Sequence, residues 1–248
     1  MPLVSIIIPY YKKKKFISRC LKSIQIQSYT NYEIILIYDD ENIDDFRYLT
    51  SLKKDYKKLL IFKNLKKKGA GESRNLGIKY AKGDYVAFLD SDDEWHQNKL
   101  KTQINLMQKN NWLISHTSYN IINEQGKTIQ NRKAKNLNFN NLINSCDIGL
   151  SSVVVKKSIL KNKIKFPTLK TKEDYVLWLK ITKMGILIHG IDKNLMKWRK
   201  TSDSLSSFTV RKLSDGYSVY RIYLKYGIIK SLYLLFILSV NFFKKNYL

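Results

Sequence analysis

The stretch Gly69 to Trp95, GAGESRNLGIKYAKGDYVAFLDSDDEW, decides how the chain is read. Tyr85, Val86, Ala87, Phe88 and Leu89 form an apolar run without alternation, the pattern of a parallel strand covered on both faces. Asp90, Ser91, Asp92 and Asp93 follow directly. Ligands of open α/β sheets sit beyond the carboxyl ends of strands, and clustered Asp oxygens are the hard ligands that Mg²⁺ or Mn²⁺ prefers. A divalent ion there could hold a diphosphate. Taken alone, DSDDE reads first as a solvated turn capping the next helix. An Arg74-Asn75 pair, a second Asp pair after another strand and a late Glu-Asp pair in the same chain favour a site.

Upstream, Val4 to Ile8 reads as a first buried strand, stopped by Pro9, which cannot donate to a ladder. Phe16, Ile17, Cys20, Leu21 and Ile24 recur at helical spacing. Glu33 to Tyr38 makes a second strand, followed at once by Asp39-Asp40. Ile43, Phe46, Leu49 and Leu52 space as another helix, and Leu59 to Phe62 makes a third strand. This strand-helix alternation predicts an α/β fold with a mostly parallel, Rossmann-like central sheet flanked by helices. The loops after strands one, two and four then open on one edge, so Tyr11, Asp40 and Asp90 to Asp93 are expected to share a crevice. Gly69 and Gly71 precede the helix that starts near Arg74, and their turn could approach a phosphate or base closely. GAGESRNLG is neither a P-loop nor a GxGxxG after strand one.

Downstream, Leu100, Ile104 and Met107 suggest a helix. Trp112 to Ser115 and Tyr119 to Ile122 look like strands, with a hairpin turn over Asn123 to Lys127. The Asn-rich segment 131–148 reads as a loop with one short helix, and Leu150 to Val155 as a further strand. Lys172, Glu173 and Asp174 open a helix carrying Leu177, Ile181 and Met184 on one face, with Gly185 past its end. Acidic groups in a first turn favour the helix dipole, so Asp174 is expected to have a low pKa. LMKWRK after Asn194 predicts an edge strand ending at Trp198-Arg199, followed by a Ser-rich loop over 201–207. From Arg211 onward the signal is helical, and Ser231 to Phe243 is strongly apolar over 13 residues, too few to span a bilayer. Its flanking tyrosines and lysines predict an amphipathic extension, residues 209–248, lying in a membrane surface. Packing on the protein, or dimerisation, is the other use for such a stretch.

Lys plus Arg is 45 against 20 Asp plus Glu, a formal net charge of +25. That excess points to an anionic partner: nucleic acid, an anionic membrane face or phosphorylated substrates. Lys is spread along the whole chain, with runs at Lys12 to Lys15 and Lys66 to Lys68, so charge alone does not choose. Cys20 and Cys146 are the only cysteines, without metal-ligand spacing, and are expected as buried thiols in a reducing, cytosolic setting. His96, His116 and His189 are isolated. The opening residues lack a charged n-region, and Val4 to Ile8 is too short for a signal h-region.

These residues resemble glycosyltransferase family 2, inverting nucleotide-sugar enzymes of the GT-A fold, over about residues 3 to 205. VSIIIPYY is similar to the family's opening VSVIIPTYN, YDDENIDD to its DDGSTD, the 69–95 stretch to its central block and KEDYVLW to its late ED motif. Glu41-Asn42 replaces the usual Gly-Ser, and Lys12 the usual Asn. The resemblance implies a catalytic domain over residues 1–208. It implies that Pro9 and Tyr11 line the base pocket, that Asp40 accepts a hydrogen bond from the base, and that Arg74 serves the nucleotide side. Asp90 would reach the ribose and Asp92 would bind the metal, Mn²⁺ or Mg²⁺, that bridges the diphosphate. Asp174 would be the catalytic base with Glu173 beside it, and Arg199 would serve the diphosphate or acceptor.

The implied partners are a nucleoside-diphosphate sugar donor, a carbohydrate or lipid-linked acceptor, and the inner face of the cell membrane, where the protein would sit peripherally on the cytoplasmic side. The implied products are cell-surface polysaccharide, lipopolysaccharide or glycolipid. A nucleotidyltransferase would carry a glycine-rich basic signature after strand one, where this chain has PYYKKKK. A nucleic-acid-binding protein would leave Asp40, Asp90, Asp92 and Asp174 without a task, so no nucleic-acid partner is expected.

Overall fold

A computed structural model describes residues 1–160, 164–201 and 209–247. Strands β1 (Val4–Tyr10), β2 (Tyr32–Tyr38), β3 (Leu59–Lys63) and β4 (Tyr85–Phe88) are parallel, in the order β3-β2-β1-β4. Alternate residues of a strand face opposite sides, so each apolar run serves two cores. Ile7, Ile35, Ile37, Val86 and Phe88 enter one hydrophobic cluster, while Val4, Ile6, Ile8, Ile34, Leu36 and Ala87 enter another. Helices α1 (Lys14–Gln25), α2 (Ile43–Ser51) and α4 (Lys99–Lys109) cover the second cluster through Cys20, Leu21, Leu49, Ile104 and Met107. Helices α3 (Ala70–Tyr80) and α6 (Glu173–Lys183) cover the first. A Cβ on Gly77 would stand 2.5 Å from Ile7 Cγ2, so this glycine sets how closely α3 lies on the sheet.

Pro9 does not stop β1. The strand runs on to Tyr10, paired with Tyr38 of β2. Ile7 O accepts from Leu89 N on the β4 side, whereas Tyr10 O accepts from Asp39 N on the β2 side. Pro9 shares Ile7's orientation, two residues past the last pairing with β4, where the ladder demands no N–H.

The other half of the sheet is mixed. β8 (Val154–Lys156) runs antiparallel to β4, followed by β6 (Ile114–Ile122), β9 (His189–Arg199) and the two-residue β5 (Glu94–Trp95), with β7 (Thr128–Arg132) beside β6. The two strands expected over 112–122 are one, and Trp112 lies outside it, stacked on His189 with centroids 4.2 Å apart. Its centre is Ser115, His116, Thr117 and Ser118, all buried, so its polar composition hid a core strand. The expected strand at Leu150 is a 3-10 turn over Leu150–Ser152, and pairing begins only at Val154. The strand expected after Asn194 starts earlier, at His189. The hairpin at 123–127 forms with Gly126 at φ +92°, and the short helix α5 (Phe139–Leu142) falls in the Asn-rich segment.

α7 (Thr209–Ser218), a π-helical turn over Val219–Tyr223 and α8 (Ile228–Tyr247) complete the chain. From 202 onward the expected Ser-rich loop lies outside the described residues. Val219, Tyr220, Leu224, Leu234 and Leu238 join the cluster under α6, while Ile228, Ile229, Leu232, Tyr233 and Phe236 are exposed. One face of the extension therefore packs on the protein and another does not. Among the described residues no helix is long and apolar enough to cross a membrane. Cys20 is fully buried, whereas Cys146, expected to be buried, is half-buried.

Candidate functional site

Tyr11, Asp40 and Asp90 follow three adjacent parallel strands, β1, β2 and β4, and so stand on one edge of the sheet. The two aspartates after β2 divide the work. Asp39 is buried and accepts from Asn64 Nδ2 at 2.7 Å, Lys68 N at 2.8 Å and Gly69 N at 2.7 Å, which fixes the turn into α3. Asp40 accepts from Glu41 N through Oδ1, while its Oδ2 is buried without a partner. A buried acceptor without a protein partner is satisfied by a water or by a ligand's N–H. Asn42 accepts from Asp44 N and Asp45 N as the N-cap of α2, so a short polar side chain keeps the capping task in YDDENIDD. Pro9 is half-buried at the end of β1. Tyr11 is exposed beneath Lys67, whose ammonium lies 3.8 Å from the ring centroid and lowers the phenol pKa.

Arg74 gathers the centre. It is 4% exposed, and its Nη2 donates to Asp90 Oδ1 at 2.6 Å while Nη1 donates to Glu173 Oε1 at 2.7 Å. One guanidinium thus joins the loop after β4 to the first turn of α6, with Glu173 99 residues from Arg74 in the chain. Burial opposes its charge, but the two carboxylates more than offset that and raise its pKa. Gly71 makes the approach possible, since a Cβ there would stand 3.0 Å from Pro167 O and 3.3 Å from Glu173 Cγ. The glycine serves protein packing at this turn. Asn75 exchanges both its amide bonds with the backbone of Phe166, at 2.9 and 3.0 Å.

Asp174 stands beside Glu173, half-buried, its Oδ1 accepting from Tyr175 N at 2.7 Å. Its pKa is raised, opposite to the helix-dipole expectation. Burial is the largest cause and Asp90 adds to it, against lowering by Arg74, the Tyr175 N–H and Lys172. Glu173 is pushed up to about 7 by burial, with Arg74 opposing and Asp174 reinforcing.

The acidic turn after β4 is held from below. Asp93 is buried and accepts from Ser151 Oγ at 2.6 Å and Arg199 N at 2.8 Å, and Asp90 N donates to Ser151 Oγ at 3.0 Å. Arg199 is 2% exposed; Nε donates to Asp92 O at 3.0 Å, Nη1 to Asn123 O and Glu124 O, and Nη2 to Glu94. Its guanidinium braces the turn. Asp92 is half-buried, with the Lys13 ammonium 2.9 Å from Oδ2, and burial raises its pKa against that ammonium.

Among the described residues no three His, Cys, Asp or Glu side chains are arranged to hold a metal by themselves. Asp92 and its neighbour Asp90 instead offer one or two carboxylates, and Mg²⁺-type ions are commonly held by such a pair plus substrate phosphates. Sequence reasoning missed Asp39, Lys13 and Ser151; Asp39 differs from Asp40 only in direction, and Lys13 is one lysine in a run of four.

The comparisons with known proteins bear on the family and the fold. The family model described as glycosyl transferase family 2 matches residues 5–179. An Escherichia coli protein named UDP-Glc:alpha-D-GlcNAc-diphosphoundecaprenol beta-1,3-glucosyltransferase is 37% identical over 88% of this chain and 85% of its own. An uncharacterized glycosyltransferase of Rickettsia felis is 36% identical over 86% of this chain, which spans about a third (35%) of that relative's length. In structure the chain resembles Staphylococcus aureus TarS residues 1-349 in complex with UDP-GlcNAc, with a TM-score of 0.76 at 21% identity, over 99% of this chain and 76% of that one. It also resembles the Pyrobaculum calidifontis mannosyltransferase in complex with GDP-Man and Mn²⁺, with a TM-score of 0.71 at 14% identity, over 94% of this chain and 70% of that one. The family model covers more than half of the chain, and the chain belongs to glycosyl transferase family 2.

Proposed function

We propose that the chain is an inverting, cation-assisted glycosyltransferase that moves a sugar from a nucleoside-diphosphate sugar to a hydroxyl of a lipid-linked acceptor in cell-surface glycan synthesis. The observation that carries this reading is the Arg74 clamp, which brings the donor-side Asp90 and the Glu173-Asp174 pair to one place. Tyr11, Pro9 and the open Oδ2 of Asp40 receive the base, and Asp90 the ribose. The names of the Escherichia coli relatives supply a concrete donor and acceptor, UDP-glucose and a diphosphoundecaprenol-linked sugar.

Asp174 takes the proton of the acceptor hydroxyl as that oxygen attacks the anomeric carbon. The bond from that carbon to the diphosphate oxygen breaks on the opposite face, and the nucleoside diphosphate leaves with the electron pair. Held by Asp92, Mn²⁺ or Mg²⁺ would stabilise the charge developing on the diphosphate. Arg74 keeps Glu173 and Asp90 in register with the base, so proximity contributes to the rate. The test is release of UDP from UDP-glucose in the presence of a polyprenyl-diphosphate-linked N-acetylglucosamine, read with inversion at the anomeric carbon. Retention of configuration would refute the single-displacement mechanism.

Because burial holds the Asp174 carboxyl above its ordinary range, turnover should have an acid limb above pH 4, the ordinary carboxylate value. The active form is the carboxylate, so the rate falls as pH drops through the raised pKa. A pH–rate profile flat down to pH 4 would contradict this.

The exposed face of α8 suits a membrane surface. Ile228, Ile229, Leu232, Tyr233 and Phe236 lie at helical spacing, with Lys225 and Lys230 flanking them in a chain of charge +25. Replacing both Ile229 and Phe236 by Asp should weaken binding to phosphatidylglycerol vesicles by about tenfold or more in co-sedimentation. Equal binding by the variant would remove the surface from the account.

A further inference from the structure

The turn that delivers the Glu173-Asp174 pair is fastened from α7. Asp215 Oδ2 accepts from Thr171 N at 2.9 Å and from Thr171 Oγ1 at 2.8 Å. Thr171 is 9% exposed, and Lys172 after it has φ +67°, a left-handed conformation that a lysine keeps only when its surroundings impose it. Lys172 is also the N-cap of α6 and supplies no side-chain cap. A carboxylate from another helix therefore fixes the entry that a local Ser or Asp would otherwise define. One turn later Tyr175 OH meets Tyr220 OH at 3.1 Å. Both hydroxyls also donate to carbonyls near α5, Tyr175 to Leu142 at 2.6 Å and Tyr220 to Ile143 at 2.8 Å. The rest of α6 does not depend on these links, because Val176, Leu177, Trp178, Leu179 and Ile181 are buried in the core.

We propose that Asp215 is a positioning residue for sugar transfer: it holds Thr171 and Lys172 so that Asp174 faces the acceptor hydroxyl. The inference rests on the reading of Asp174 as the base. Asp215 touches neither substrate nor cation, and its loss leaves a secluded backbone N–H without an acceptor and frees Lys172 to leave its left-handed conformation. The backbone entering α6 at Thr171 and Lys172 then shifts and re-aims Asp174, while the donor side, held by β1, β2 and β4 and by the Arg74–Asp90 bond, stays. A displacement of about 1 Å at a reacting group can cost on the order of 10²-fold in rate.

The test compares Asp215→Ala, Asp215→Asn and Thr171→Val, with Asp174→Asn alongside, in steady-state transfer and in UDP-glucose binding by calorimetry with Mn²⁺. The alanine variant should lose about 30-fold or more in kcat while its donor Kd stays within about twofold. Asp215→Asn, whose amide oxygen accepts the same two bonds, should recover to within a few-fold of the native rate. Thr171→Val, which removes only the hydroxyl, should fall between them and decides the matter if the alanine variant does not fold. A native kcat in Asp215→Ala, a parallel loss of donor binding, or no rescue by Asn would overturn the proposal. Full turnover by Asp174→Asn would instead overturn the base assignment beneath it. A dead Asp174→Asn beside a native-like Asp215→Ala would sink the positioning role alone.

Discussion

Asp174→Asn is expected to bind UDP-glucose as the native protein does and to transfer sugar about 10²- to 10⁴-fold more slowly, the range that a positioned general base contributes. The amide keeps the shape of the carboxylate and can still accept from Tyr175 N, so the variant separates proton removal from folding. It cannot take the acceptor's proton, and it also gives up the negative charge that faces Arg74 and Lys172. The loss should appear equally in kcat and kcat/KM, the sign of an interaction made only in the transition state. Native turnover would exclude Asp174 as the base and move attention to Glu173, whose Oε1 accepts from Arg74.

Arg74→Met should lower stability by about 3–5 kcal/mol, the cost of leaving the buried Glu173 carboxylate without its cation. The guanidinium is 4% exposed, and the Glu173 side chain that would lose it is 12% exposed. In a chain of this size that corresponds to roughly 6–20 °C in Tm. The pH dependence has a definite sign. The folded-state pKa of Glu173, about 7, lies above its ordinary 4.5, so the fold binds this proton more tightly than the unfolded chain. The group's contribution is most favourable below pH 4.5 and is lost as pH rises to about 7. Removing Arg74 raises that pKa further, so the variant should be penalised more at pH 8 than at pH 5. Adding Glu173→Gln should restore part of the loss, measured as the coupling in a double-mutant cycle by chemical denaturation. A penalty that is independent of pH would contradict the ion pair as its source.

The parallel half of the sheet was legible because a strand buried on both faces leaves a continuous apolar run, and β1, β2 and β4 each have one. The shared edge followed from strand order. What could not be read was direction and distance. Asp39 and Asp40 are adjacent, yet one points into the turn before α3 and the other keeps an open oxygen. Arg199 was read as facing a ligand, but the strand's pitch turns its guanidinium into the backbone of the acidic turn. Only the middle of β6 escaped the periodicity, because Ser115, Thr117 and Ser118 are buried polar residues; Ser115 Oγ accepts from Gln103 and Ser118 Oγ donates to Asp192, while the Thr117 hydroxyl is buried without a partner. The low pKa expected of Asp174 followed from the helix dipole alone, whereas burial proved larger. The C-terminal helices were read as one amphipathic unit; two faces are present, and only coordinates tell which residues take each.

In the proposed function Asp92 would hold the cation that meets the donor's diphosphate. Thermal melting of the native protein and of Asp92→Ala, each with UDP-glucose and with or without Mn²⁺, tests it most directly. At ligand concentrations well above Kd, binding adds about 2.7 kcal/mol or more, so the native protein should gain about 5 °C or more when sugar nucleotide and Mn²⁺ are present together. Asp92→Ala should show little of that gain, whatever its own baseline. An equal Mn²⁺-dependent gain in the variant, or no gain in the native protein with any sugar nucleotide, would contradict the donor site described above.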